Sequence, residues 1–343
     1  MLTSSPLCSG FYRTMTAHIM KLVLSVSLIV ILTHLFGACS RKESRPASKL
    51  SRTQVERISA AKKFEDLFEK TSEVELKQDS SCLIGTISAL AITRNGTIIV
   101  GDNSAHRILV FDASGNFLRT IGNPGAGPGE FLRIAWLEAD SRDNVLCLDN
   151  KLDRVTRFDL FGNPLLICRV EYGFRLVSND DGGFLVYNYI AHPNSSQSIL
   201  FLYDSTGSLR KKFGSPFLKV IVGQVPISGG SISTYENKIF AVQASEFSVR
   251  MMSFEGETIK EFTRNSPIYK PIEPPLTFLD KEKLDSFTAT ASVFAIPPGV
   301  VCVTLMRNNL MQSWLEVFDT DGNFLTGAIE IPSDLESCRT KHN

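Results

Sequence analysis

A nine-residue signature recurs five times along this chain: "VFDASGNFL" at 110–118, "RFDLFGNPL" at 157–165, "LYDSTGSLR" at 202–210, "MMSFEGETI" at 251–259 and "VFDTDGNFL" at 317–325. Asp112, Asp159, Asp204, Ser253 and Asp319 take the equivalent place, with separations of 47, 45, 49 and 66 residues. A polar residue followed three places on by glycine suits a hairpin turn, because glycine reaches positive φ without steric cost. Each copy therefore predicts a strand, a turn and a strand, and the last spacing carries an insertion.

Upstream of the first copy, "ISALAIT", the turn "RNG", "TIIVGD" and "RILVFD" complete a unit with predicted strands at 87–93, 97–101, 107–111 and 116–121. Four antiparallel strands repeated about every 45 residues are the signature of a β-propeller. The expected fold is all-β, with four-stranded antiparallel blades, of the six-bladed type by the resemblance given next. Five blades are clear and the sixth is incomplete or absent, since "SDLESCRTKHN" after the last copy has little strand pattern. An incomplete blade predicts an exposed sheet edge.

The stretch "GTIIVGDNSAHRILVFDASGNFLRTIGNPGAGPGEF" resembles an NHL repeat. From about residue 72 onward the chain is similar to the six-bladed propeller lipoproteins of Bacteroides-type bacteria, most strongly over 84–165. In that family an N-terminal strand closes the ring by joining the last blade, and "SEVELK" at 72–77 is placed to do so.

Lys21 precedes an apolar run from Leu22 to Ala38 that reads as a secretory leader, a little short of a spanning helix. Gly37-Ala38-Cys39 resembles a bacterial lipobox, which implies acylation of Cys39, and Met20 is a more natural start than Met1. By the same resemblance, Ser40 lacks the aspartate that retains lipoproteins in the inner membrane, which implies an outer-membrane destination. The tether "SRKESRPASKLSR" leads into "TQVERISAAKKFEDLFEK", an amphipathic helix with Val55, Ile58, Phe64, Leu67 and Phe68 on one face. Thr53 and Glu56 form its capping-box pattern, and the apolar face is expected to dock onto the main domain. The organisation is a leader over 1–39, a tether and helix over 40–71, and a propeller over 72–343.

With 36 basic and 36 acidic side chains there is no net charge to attract a nucleic acid. Beyond the leader, Cys82, Cys147, Cys168, Cys302 and Cys338 show no CxxC spacing, and Cys147 and Cys302 sit in apolar strand patterns as core residues. In a four-strand meander, the first and third turns emerge on one face, while the second loop and the crossover between blades emerge on the other. The glycine-rich "IGNPGAGPGEF" at 121–131 is such a crossover, and no Gly-Lys-Ser/Thr or helix follows to make it a phosphate loop.

The crossover face has the longer loops, where binding residues concentrate on a rigid scaffold. Its candidates are Asp102, His106 and Arg107, then Trp136, then Asp149, Asp153 and Arg154, then Tyr187 and Tyr189. Asp102 with Arg107, and Asp149 with Arg154, repeat at one spacing, and the simplest reading is that they tie down the loop between them. After the leader, His106, His192 and His342 are too few for a histidine-rich metal lyase. In "DTDGN", Phe324 stands where a calcium loop needs glycine, and no Gly-x-Ser-x-Gly elbow occurs. No catalytic set, metal site or cofactor is expected. The function expected is a lipid-anchored, non-catalytic binding or scaffolding module of the bacterial cell envelope. Its partner would be an envelope protein, peptide or glycan on the long-loop face. The alternative is a metal-dependent hydrolase or lactonase with its site at the channel mouth.

Overall fold

The computed structural model describes residues 49–188, 198–216, 221–222, 225–226, 229–272, 281–307, 310 and 312–332. Five four-stranded antiparallel sheets form the described domain. Blade 1 contains β1 (Ile87–Ile92), β2 (Ile98–Asp102), β3 (Arg107–Phe111) and β4 (Phe117–Ile121). A short parallel pair, β5 (Asn123–Pro124) and β6 (Glu130–Phe131), brackets the glycine-rich crossover. Blade 2 follows with β7 (Ile134–Ala139), β8 (Val145–Asp149), β9 (Arg154–Phe158) and β10 (Pro164–Arg169). Blade 3 has β11 (Gly173–Ser178), β12 (Phe184–Asn188), β13 (Leu200–Tyr203) and β14 (Leu209–Phe213). The next crossover carries the small hairpin β15 (Ile221–Val222) and β16 (Val225–Pro226). Blade 4 has β17 (Gly230–Tyr235), β18 (Lys238–Gln243), β19 (Glu246–Ser253) and β20 (Thr258–Phe262). Blade 5 has β21 (Thr288–Ile296), β22 (Val300–Arg307), β23 (Gln312–Asp319) and β24 (Phe324–Glu330). The predicted strands of blade 1 agree with these to within one residue.

The recurring signature forms the turn its chemistry demands. The Oδ1 of Asp112 accepts from the N–H groups of Ser114 and Asn116, both at 2.9 Å. Asp159, Asp204 and Asp319 repeat the arrangement, whereas Ser253 retains one long bond, from Glu257 N–H at 3.4 Å. The glycine of each copy stands at φ between 78° and 92°, where a side chain would be strained.

The blades pack face to face through wedges of apolar side chains. Ala89, Ile99 and Ile108 meet Leu137, Val145 and Cys147 between blades 1 and 2. Leu146, Leu148 and Val155 meet Leu176, Phe184 and Val186 between blades 2 and 3. Equivalent wedges join blades 3 and 4 and blades 4 and 5. Cys147 is buried in the wedge between blades 1 and 2 and Cys302 in the apolar cluster on the other face of blade 5, both as core residues, and burial pushes both thiols up.

The N-terminal region fills the remaining sector. Helix α1 (Arg52–Ser59) and the single turn α2 (Phe64–Leu67) lay Val55, Ile58, Ala61, Phe64, Leu67 and Phe68 against the outer face of blade 5. The chain then crosses to the opposite side of the gap, where Leu76, Cys82 and Ile84 cover Leu90, Ile92, Val100 and Leu109 of blade 1. Docking of the helical stripe agrees with expectation, but three details differ. The capping box is Ser51 with Gln54, two residues earlier, because Ser51 is the residue held extended at the N-cap. The helix ends at Ala60, and a second short helix follows. Residues 72–77 do not form a closing strand on the last blade. They pass along the β3–β4 turn of blade 1, where Lys77 N–H donates to Gly115 C=O at 2.8 Å and Glu75 C=O lies where a Gly115 side chain would stand.

A sixth four-stranded sheet is not present among the described residues. The faces it would have covered carry residues 50–84. Within the last spacing, the insertion forms helix α3 (Lys281–Ser286) before β21.

Candidate functional site

At the loop end of blade 1, β2 and β3 pair Asp102 directly with Arg107. Asp102 is 1% exposed, and its Oδ1 accepts from Thr86 N–H at 3.0 Å and Ser104 N–H at 3.1 Å. Its other oxygen lies 3.7 Å from Arg107 Nε. Arg107 donates to the carbonyls of Ser81 at 3.2 Å and Leu83 at 2.8 Å, binding the incoming N-terminal segment as it enters β1.

Blade 2 repeats the device. Asp149, opposite Arg154, accepts from four backbone N–H groups: Leu132 at 2.7 Å, Arg133 at 3.1 Å, Lys151 at 3.0 Å and Leu152 at 3.1 Å. Arg154 donates to Ala126 C=O at 3.0 Å, Gly127 C=O at 3.1 Å and Glu130 C=O. The glycine-rich run is thus a crossover pinned by a guanidinium. Gly125 is required because the Glu130 carboxylate occupies the space of a side chain there, and that carboxylate accepts from Gly127 N–H at 2.7 Å. These four charged side chains are therefore engaged with backbone.

His106 and Asp153 hold equivalent places just before the arginines, with φ of 50° and 49°. Their left-handed backbone shapes the loop. Trp136, on the inner strand β7, is 8% exposed and packs in the wedge between blades 2 and 3, and Tyr187, on β12, is fully buried between blades 3 and 4. Neither ring stands on the loop surface. Tyr189 and Cys39 lie outside the described residues.

The structure brings two further residues to Trp136. Arg175, on inner strand β11 of the next blade, places its guanidinium 4.6 Å from the Trp136 ring and 5.6 Å from that of Phe174. Arg175 is 3% exposed and directly opposite Tyr187 in the β11–β12 ladder. Burial lowers its pKa to about 10, with Tyr187 opposing the shift. Burial likewise raises the Tyr187 phenol, while Arg175 and Arg250 pull it down. Glu138, two residues beyond Trp136 on the same strand and half-buried, is raised by burial to about 8, against the Trp136 indole and the Ser178 N–H, which draw it down. Sequence reasoning missed Arg175 and Glu138 because neither belongs to the repeated pattern. The available signal was a charge within an otherwise apolar inner strand, "GFRLVS" and "IAWLEA".

Among the described residues, no group of three or more His, Cys, Asp or Glu side chains converges as a metal site. No described helix is long and apolar enough to cross a membrane.

No curated protein matches the chain in sequence. Among solved structures, a predicted exported protein of Bacteroides fragilis is similar at a TM-score of 0.56 and 17% identity, over 77% of this chain and 76% of that one. A member of the DUF4221 family from Bacteroides vulgatus matches at 0.50 and 12%, over 69% and 78%. A virginiamycin B lyase of Staphylococcus aureus reaches 0.49 and 11%, over 71% and 69%, too distant to argue about activity. The first two likenesses establish a bacterial propeller fold and leave activity open. The family described as a domain of unknown function, DUF4934, matches residues 52–265, more than half of the sequence and starting at the first residue of α1, and the chain belongs to that family.

Proposed function

We propose that this protein is a non-catalytic binding or scaffolding module of the bacterial cell envelope. Residues 1–39 serve as leader, Cys39 carries the lipid anchor and an NHL-like propeller presents the crossover face to an envelope protein, peptide or glycan. The observation that carries this reading is the state of the charged side chains on that face. Asp102, Arg107, Asp149 and Arg154 all hold loop backbone in place, and loops held in this way make a rigid platform. A rigid loop face limits the ordering cost of binding.

The test is crosslinking and pull-down from native membranes, with a Cys39→Ala form as control, read by mass spectrometry. The expected result is an envelope partner recovered with the anchored form and reduced with the control. A metal-dependent hydrolase or lactonase would instead retain stoichiometric metal through purification and recover no partner, and that result would replace the present reading.

A further inference from the structure

Two arginines are buried among the described residues, Arg157 and Arg175, and only one is neutralised. Arg157 Nε lies 3.3 Å from Asp140 Oδ2, and the same guanidinium bonds the carbonyls of Gly182 and Ser205. Arg175 forms no ion pair and donates to no acceptor among the described residues, and its buried Nε is unpartnered. The ionisable group that acts on it is the Tyr187 hydroxyl, itself buried without a hydrogen-bond partner. That hydroxyl lies against Gly230, the first residue of inner strand β17. Next to Tyr187, Asn188 donates to Glu171 C=O at 3.1 Å, while its Oδ1 is buried and unpartnered.

Native proteins leave few buried polar groups unsatisfied, and an unneutralised buried charge is among the costliest. Here a guanidinium on the innermost strand β11 and a hydroxyl on the adjacent strand β12, neighbours across one ladder of blade 3, share the deficit beside the first residue of β17. The geometry points to an anion-binding site in which Arg175 and Tyr187 receive the carboxylate of an incoming ligand.

A carboxylate fits better than a phosphate, because one guanidinium and one hydroxyl balance a single negative charge, whereas a phosphate dianion would bring a second. Guanidinium and carboxylate match as planar forks. The rings of Trp136 and Phe174 on the guanidinium face provide an apolar surround for the body of the ligand. Such a carboxylate is available from a peptide C-terminus or from an acidic sugar. The site deepens the binding-module reading, on which it rests for its biological role, and names the chemistry that the ligand must carry.

The experiment is calorimetric titration of the full chain, purified from detergent-solubilised membranes, with four probes: an N-acetyl dipeptide acid, its amide, glucuronate and glucose. Saturable binding of an acid, with its neutral counterpart silent, is the expected result, and whichever acid binds identifies the source. Arg175→Met should weaken that binding by about ten-fold or more, and Tyr187→Phe by a few-fold, as expected for loss of a charge-assisted and a neutral donor. Tyr187→Phe keeps the ring in its wedge, so it reports on the site even if Arg175→Met folds poorly. Absence of acid binding to the folded parent, or equal binding by acid and neutral probes, overturns the assignment. A partner recovered in the pull-down without acid binding refutes this site alone. Acid binding with no partner recovered refutes the scaffold reading alone.

Discussion

The loop ends of blades 1 and 2 and the first two strands of blade 3 hold similar residues under opposite conditions. Asp149 accepts from four backbone N–H groups, and Arg154 donates both terminal nitrogens to carbonyls of the crossover beside it. Arg175 and Tyr187 are as deeply buried, yet the atoms that could bond remain unengaged. The first arrangement recurs with the repeat, and it is scaffold. The second occurs at one blade boundary, where the repeat gives no structural reason for a charge. In a repetitive fold, a polar group that departs from the repeat and lacks a partner is a better guide to function than one that recurs.

This contrast predicts a graded and partly sign-reversed set of stability effects, measurable by urea unfolding. Asp149→Ala should be the most damaging, at about 3–5 kcal/mol, because it leaves four backbone N–H groups without an acceptor. Phe64→Ala should cost about 3 kcal/mol by opening the wedge between α2 and blade 5. A negligible cost there would mean that the N-terminal segment does not complete the ring. Arg154→Met should cost about 2 kcal/mol, with faster proteolysis at 121–131 as the crossover loses its pin. Arg175→Met should instead gain about 1 kcal/mol in the absence of ligand, because it removes an unneutralised buried charge.

The remaining effect is a pH dependence. Burial raises the folded pKa of Glu138 from its ordinary value of about 4.5 to about 8, so between these values the folded state holds a proton that the unfolded state has released. Its stabilising contribution is present below about 4.5 and is lost as pH rises through about 8. Glu138→Gln should flatten that decline relative to the parent when melting is followed across the window.

The blades were legible in the sequence because their determinants are local. An aspartate and a glycine three residues apart fix each turn, and alternating apolar residues fix the strands on either side. The Asp–Arg ties were legible because they recur at a single spacing. The sequence points to residues 72–77 as the segment that closes on the last blade, whereas blade 5 is covered by the helical stretch before them through contacts that span the chain. Phe64 packs with Phe294 and Ile329, and Thr326 donates to Ala61 C=O at 2.9 Å, contacts with no sequence periodicity. Two helical turns and an extended stretch can cover the same apolar faces as a blade, so a missing blade in the sequence does not require a bare sheet. The aromatics Trp136 and Tyr187 were placed on the loop face because sequence position gives the height of a residue along a blade but not the side to which it points. The Trp136–Arg175 contact joins inner strands of different blades, and nothing in either strand alone announces it.

The most direct test is to compare the melting temperatures of Arg154→Met and Arg175→Met with that of the parent, with and without the acid probe that binds. The account predicts that Arg154→Met melts lower and still gains stability from the acid, while Arg175→Met melts higher and gains none. If Arg175→Met melts lower than the parent by as much as Arg154→Met, Arg175 is part of the scaffold and the distinction between engaged and unengaged charges fails.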